Sequence, residues 1–262
     1  MTVTLPPLSA HLASGASIPL LGFGTWQIEG PTAVQATGTA LSLGYRHLDT
    51  ATVYGNEQEV GTALRESGIA RDEVFVTTKI PPNLASNAAA TLATSLRLLD
   101  VGHVDLWLIH WTEDSAAVDL WRELVRAQAD GLARDIGVSN YSLAQIDELA
   151  DATGVRPAVN QIPWSPFRFD AALLEGHRER DIVVEGYSGL KRGTMEHPVV
   201  QETAARVGRT PAQVLIRWQL QHGIVVIPKS TNPERIRQNA DVADLTLSDE
   251  DMTALDGLAG TQ

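Results

Sequence analysis

The feature that most restricts the fold is a regular alternation along the chain. Short runs rich in apolar and β-branched residues occur at 20–22, 45–48, 74–78, 104–109, 133–138, 157–160, 182–186 and 224–227. Helix-period patterns at 31–44, 56–67, 86–99, 116–130, 142–152, 170–180, 196–207, 210–222 and 233–240 separate or follow them. Strand-like runs that alternate with helices imply a parallel sheet, because parallel neighbours need a crossover connection. The 262 residues hold no Ser/Gly linker, charge block or low-complexity segment, so residues 1–262 read as one domain. An α/β fold of the closed (β/α)8 TIM-barrel type fits eight such units, with a doubly wound open sheet as the alternative. Leu8–Pro19, with Ser14-Gly15 between two short runs, reads as a small N-terminal β-hairpin outside the repeat.

The helix ends carry local signals. Ser86 and Ser142 each precede an apolar-periodic run and are expected N-caps. Thr210-Pro211 places proline at a first helical position. Gly44, Gly68 and Gly102 follow helices where a left-handed residue closes the last turn.

Composition removes several function classes. Lys and Arg total 20 against 32 Asp and Glu, a formal charge of −12, which argues against nucleic-acid or anionic-membrane partners. With no cysteine, disulfides, thiolate metal sites and cysteine nucleophiles are excluded. The first residues lack a basic stretch followed by an apolar run, and no segment approaches the ~20 apolar residues of a membrane span. A soluble, cytoplasmic protein is expected. No heptads or obvious interface patch stand out, so a monomer is expected. The seven histidines show no ligand-like spacing, and a metal site is not expected.

In a barrel of this kind the active site lies at the C-terminal ends of the strands. The residues just past the runs are Asp49, Lys79, His110, Ser139-Asn140, Gln161, Tyr187-Ser188 and Lys229-Ser230. Only three lysines occur (Lys79, Lys191 and Lys229), and two of them directly follow a strand run, as suits a compact charge or a point contact to phosphate. A free tyrosine, with a pKa near ~10, is a poor proton donor at neutral pH. Asp49, Tyr54, Lys79 and His110 together form a set with chemistry: an ammonium beside Tyr54 stabilises the phenolate, a carboxylate holds the lysine, and an imidazole orients a carbonyl oxygen. Such a set protonates a carbonyl oxygen, and no side chain donates hydride, so the chemistry needs a nicotinamide cofactor.

LDTATVYGNE (48–57), VFVTTK (74–79), LIHW (108–111), GVSN (137–140), VNQ (159–161) and IPKSTNPERIRQN (227–239) together resemble the aldo-keto reductase superfamily, in particular its bacterial 2,5-diketo-D-gluconate reductase-like members. The resemblance runs from about Gly22 to Asn239 with the motifs in the expected order. It implies Tyr54 as general acid, Lys79 as the neighbour that lowers its pKa, Asp49 as partner of Lys79, and His110 as orienter of the carbonyl. It implies nicotinamide contacts from Ser139, Asn140 and Gln161 and a stacking ring at Tyr187, with Ser188 and Leu190 beside the cofactor. Gly24, Thr25 and Trp26 match the turn near the cofactor and substrate mouth. Lys229, Ser230, Thr231, Arg235, Gln238 and Asn239 match a clamp on the adenosine 2′-phosphate and adenine. Two cations with hydroxyls suit a dianionic phosphate, so the expected cofactor is NADPH/NADP+.

The implied activity is an NADP-dependent oxidoreductase acting on CH–OH groups, which reduces a small-molecule carbonyl substrate. Trp26, Val53, Trp111 and Trp164 are candidate pocket walls. The segments 111–116 and 189–195 are short for the family, Gly189 stands where proline is common, and the sequence ends soon after the last helical pattern. An open, shallow substrate site is therefore expected. Three rival readings use parts of the same sequence. Gly22-Phe23-Gly24 begins like a dinucleotide fingerprint, but Gln27 holds the third glycine's place. Tyr187 and Lys191 spell Y-x-x-x-K, which needs both on one helical turn, where Gly189 fits poorly. A barrel aldolase with a Schiff base at Lys79 or Lys229 explains the scarce lysines but not the 229–239 segment. A cofactor-binding sensor with little turnover is a further alternative.

Overall fold

The computed structural model describes residues 8–113 and 117–261. Strands β1 (Ser9–His11) and β2 (Ser17–Pro19) form the expected antiparallel hairpin. Eight parallel strands follow in sequential order: β3 (Phe23–Gly24), β4 (His47–Asp49), β5 (Phe75–Ile80), β6 (Val104–Ile109), β7 (Ala133–Ser139), β8 (Val159–Pro163), β9 (Val183–Tyr187) and β10 (Val225–Val226). A parallel bridge between Leu21 and Val226 joins the last strand to the first, with Gly22 donating to the Val226 carbonyl at 2.9 Å. The sheet thus closes into a (β/α)8 barrel, and a closed sheet leaves no unpaired edge.

Helices cover the outside: α1 (Gly30–Ser42), α2 (Glu57–Glu66), α3 (Ala88–Leu99), α4 (Ala117–Ala129), α5 (Leu143–Thr153), α6 (Ala171–Arg178), a short α7 (Arg192–Met195), α8 (Pro198–Val207), α9 (Pro211–Gln221), α10 (Pro233–Ala240) and α11 (Asp249–Asp256). None among the described residues is long and apolar enough to cross a membrane. Helices such as α3, α4, α6 and α9 pack on the strands, while α7 and α11 pack on other helices. The strands β5 and β6 are buried at every position, as expected where helices cover one side and packed side chains fill the other. The hairpin covers the opening at the N-terminal strand ends. Ile18 and Leu12 join the core, and Ser14 Oγ donates to Asp135 Oδ2 at 2.7 Å.

Several local signals hold. Ser142 and Thr210 each close a capping box, with Gln145 and Gln213 reaching back. Gly44 and Gly68 adopt positive φ. Others do not. Ser86 is no N-cap: Pro82–Asn87 forms a 3-10 helix, and α3 starts after Asn87 without a side-chain cap. Gly102 lacks a positive φ, because Asp100 already takes the left-handed position, at φ 57°, and closes α3 two residues earlier. The segment after β9 contains α7, and α11 lies beyond the last helix expected from sequence. The Ser248–Asp251 capping box that starts α11 was legible, but its apolar stripe is weak. Of the short 111–116 segment, residues 114–116 lie outside the described residues.

Candidate active site

At the C-terminal mouth the strand ends surround a cavity of about 570 Å³. Its wall is built from the ends of β3, β4, β6, β7, β8, β9 and β10, which is why one short polar residue after each strand is enough to make a site. Asp49 ends β4 and Lys79 lies within β5, one residue before its end. Adjacent parallel strands place their ends side by side, so Lys79 Nζ donates to Asp49 Oδ1 at 2.7 Å and to the Thr50 carbonyl at 2.8 Å. Both side chains are buried, Lys79 completely. Burial disfavours the Lys79 ammonium, but Asp49 and Tyr54 outweigh it and hold the amine above its ordinary value. Asp49 accepts a second bond on Oδ2, from Gln161 Nε2 at 2.9 Å.

Tyr54 is delivered by a single 3-10 turn, Thr52–Tyr54, which follows β4 and ends at Gly55 in the left-handed region. Thr52 Oγ1 ties that turn to the Lys79 carbonyl at 2.8 Å. The Tyr54 hydroxyl lies 3.5 Å from Lys79 Nζ, and the ammonium sits 5.0 Å from the ring centroid. Burial pushes the phenol up, and Lys79 pulls it down by less. Lys79 thus acts on the phenol in the expected direction, and burial outweighs it. The hydroxyl stays protonated, the form a proton donor needs.

His110 follows β6, its ring 5.5 Å from that of Tyr54 at 71°. Burial and the Lys79 charge lower its pKa to about 4, so the imidazole is neutral at physiological pH. A neutral imidazole donates through one nitrogen and accepts through the other. Asp49, Tyr54 and His110 thus meet at one wall of the cavity, with Lys79 buried directly behind them.

Across from them, Ser139 Oγ donates to the Gln161 carbonyl at 2.8 Å and accepts from Asn140 Nδ2 at 3.0 Å. Asn140 Oδ1 accepts from the Tyr187 hydroxyl at 2.8 Å, which fixes that ring at the rim. Asn140 and Ser188 hold φ values of 65° and 58°. Left-handed backbone at non-glycine residues is strained, and both lie where strand turns into mouth. Gly24, Leu190 and Lys229 also line the cavity. Thr25 does not: it is buried and donates to the Asp49 carbonyl at 2.9 Å.

Beyond the cavity, Ser230 is buried and accepts from the Asn232 amide at 3.1 Å, while Thr231 is exposed. Arg235 follows at the start of α10, where Asn232 caps the helix. Glu234 pairs with Arg237 and accepts from Gln238 at 3.0 Å, which leaves Lys229 and Arg235 outside any ion pair among the described residues. Asn239 is buried in the same helix.

Trp26, Val53 and Trp111 line the cavity with relative exposures of 55%, 51% and 39%. Trp164 is no pocket wall: it is fully buried against the α8–α9 side of the core, its ring 6.1 Å from Phe169. Tyr187 ends a strand and Lys191 precedes α7, so the two share no helical turn. Sequence reasoning passed over two contributors. Lys191, after β9, lines the cavity. Asn56 donates to the Thr25 and Ile28 carbonyls, both at 2.8 Å, and accepts from Thr50 at 2.7 Å. Its position directly after Tyr54-Gly55 was the signal, since a buried Asn in a turn pins neighbouring loops.

A barrel mouth that sets a buried lysine–carboxylate pair beside a tyrosine and a histidine carries groups able to donate a proton to an oxygen in the cavity. Comparison with known proteins narrows that chemistry. Residues 20–259 match the model of the aldo/keto reductase family. An aldo-keto reductase of Mycobacterium sp. (strain JLS) is 43% identical over 258 residues, covering 96% of this chain and 93% of that protein. The methylglyoxal reductase DkgA of Yersinia pestis is 40% identical over 97% of this chain and 93% of its own. The crystal structure of an aldo/keto reductase from Brucella melitensis superposes with a TM-score of 0.93 at 39% identity, over 98% of this chain and 99% of that one. The chain belongs to the aldo/keto reductase family, whose members reduce carbonyl groups with a nicotinamide cofactor.

Proposed function

We propose that the chain is an NADPH-dependent reductase of small aldehydes and ketones, with Tyr54 as the general acid. The observation that carries this reading is the buried Lys79 ammonium, tethered to Asp49 and the Thr50 carbonyl with the Tyr54 hydroxyl beside it on the cavity wall. A nicotinamide cofactor held at this mouth would supply hydride to the carbonyl carbon. Tyr54 gives its proton to the carbonyl oxygen as charge develops there, and the nearby ammonium stabilises the phenolate that remains. His110, neutral, orients the same oxygen by donating a hydrogen bond. Asn140 Nδ2 and the Gln161 side-chain oxygen offer a donor and an acceptor for a carboxamide, and the Tyr187 ring offers a stacking surface. Lys229 and Arg235, free of ion pairs, suit a 2′-phosphate better than a ribose hydroxyl. Thr231, Gln238 and Asn239 would complete that contact. At Lys79 the aldolase alternative is disfavoured: a Schiff-base lysine must attack as a neutral amine, and Asp49 keeps Lys79 charged.

The experiment is NADPH oxidation with a panel of aldehydes and ketones that includes methylglyoxal, run beside Tyr54→Phe. Turnover that disappears in the variant while NADPH binding persists is the expected result. Undiminished turnover in Tyr54→Phe would overturn the assignment of the acid.

A further inference from the structure

Inside the barrel, behind Asp49 and Lys79, lies a second pair of titratable side chains that the chemistry above does not use. Glu185, in β9, is completely buried, and neither carboxyl oxygen has a hydrogen-bond partner within 3.5 Å, although the Gln161 amide faces it and pulls its pKa down. His47, in β4, is equally buried, with Nε2 3.8 Å from Glu185 Oε1 and 3.1 Å from Thr77 Oγ1. Gly22 makes room for the imidazole, since a Cβ there would lie 2.6 Å from His47 Nδ1. Glu185 is the register partner of Gln161 on β8, whose amide holds Asp49. The buried groups therefore run in sequence from His47 and Glu185 through Gln161 and Asp49 to Lys79 and Tyr54.

An unbonded carboxylate at zero exposure is costly, and such groups keep a proton instead. Asp49 and Lys79 face Glu185 from β4 and β5, with the Gln161 amide on β8. Asp49, Lys79 and Asp105 act on His47. Asp49 and Lys79 already balance each other. One proton held between Glu185 and His47 leaves that second pair neutral, whichever of them carries it. Without the proton, two carboxylates would oppose a single ammonium, and the added negative charge would reach Tyr54.

We propose that Glu185 is a positioning residue for carbonyl reduction: with His47 it holds one proton inside the barrel, so that Glu185 adds no further negative charge to the Asp49–Lys79 pair, which the buried Glu57, bonded to Thr78 and Ser95, also faces. The role rests on the reductase reading above. Release of the proton to solvent moves no electrons and breaks no bond to carbon, but it makes Tyr54 a weaker acid. In support, burial and then Asp49 push the Glu185 carboxyl far above the carboxylate range, against the opposing pull of Lys79 and Gln161.

Two measurements test this on wild type and Glu185→Gln, a neutral replacement of the same shape. In the first, urea unfolding is followed at pH 6 and pH 9. A native carboxyl that keeps its proton longer than the unfolded chain loses stability as pH rises between the two values. Wild type should therefore lose more stability than the variant, and equal losses would overturn the shared proton. In the second, kcat for a small aldehyde is followed across the same range. Wild type should fall about threefold to tenfold on the alkaline side, as the added negative charge makes Tyr54 a weaker proton donor. Glu185→Gln should lack that inflection with KM unchanged, whereas superimposable profiles would overturn the positioning role. If Glu185→Gln does not fold, His47→Gln removes one of the two sites that hold the proton and should move the wild-type inflection to lower pH, and an unmoved inflection refutes the pair. Absence of turnover in wild type would sink the reductase reading and the positioning role together, while the unfolding measurement would still decide where the proton is.

Discussion

Replacing Lys79 by methionine separates electrostatics from packing at the centre of the site. Methionine fills nearly the same volume with an apolar chain, so little of the loss comes from a cavity. What it leaves is the Asp49 carboxylate at 2% exposure, holding one bond from Gln161 and no countercharge. Breaking a buried pair by removing one partner costs about 3–5 kcal/mol. The surviving Gln161 bond argues for the lower end, about 3 kcal/mol, since a hydrogen bond to a charged group is worth roughly 1.5–3 kcal/mol. At about 2–4 °C per kcal/mol for a chain of this size, Tm should fall by about 6–12 °C. Asp49→Asn should cost somewhat less, because Lys79 keeps the Thr50 carbonyl. The double variant removes both charges and should recover about 2 kcal/mol of the summed losses, within the range seen for directly coupled residues. Urea unfolding followed by tryptophan emission reports this well, because Trp107, Trp121, Trp164 and Trp218 are fully buried. A Lys79→Met loss below about 1 kcal/mol, together with simple additivity in the double variant, would refute a charge-paired Lys79.

Other expectations follow from the same geometry. Tyr54→Phe should lower kcat by about 10²–10⁴ with NADPH affinity unchanged, as measured by fluorescence titration. Lys229→Ala and Arg235→Ala should weaken NADPH more than NADH, and equal losses for the two cofactors would defeat the 2′-phosphate assignment. His110, with its folded pKa near 4 against about 6.5 unfolded, takes up its proton later than the unfolded chain on acidification. Stability should therefore drop as pH falls from about 6.5 towards 4, and His110→Gln should flatten that part of the unfolding curve. Gly61→Ala should cost about 1–3 kcal/mol, since a Cβ there would lie 2.5 Å from the Leu99 carbonyl where α2 crosses α3; a wild-type midpoint would show that the two helices separate freely.

The barrel was legible because two periods alternate without interruption, and the strand runs differ from the observed strands mostly at their ends. β3 and β10 are the weakest strands, two residues each, and their closure depends on the Leu21–Val226 bridge, which no local pattern announces. The site was legible for the reason that makes it work: a parallel barrel gathers the residue after each strand at one mouth, so Asp49, Lys79 and His110 could be read in order. Tyr54 needed more, since its place depends on the 3-10 turn after β4. Ser86 and Gly102 misled because capping propensity is local, whereas the Pro81–Pro82 pair and Asp100 set where α3 begins and ends. The His47–Glu185 pair had no sequence signal. Its members sit 138 positions apart on strands that only barrel closure sets face to face.

The N-terminal hairpin has a consequence for how the chain is made. β1 and β2 need only one another to form, so they can pair as soon as they leave the ribosome. Their anchor, Asp135, lies 121 residues downstream of Ser14, and closing so long a loop is slow compared with forming a hairpin. During synthesis the hairpin therefore waits, Ile18 uncovered, until β7 has emerged. The last event in sealing the barrel floor is then the docking of a piece made long before its anchor.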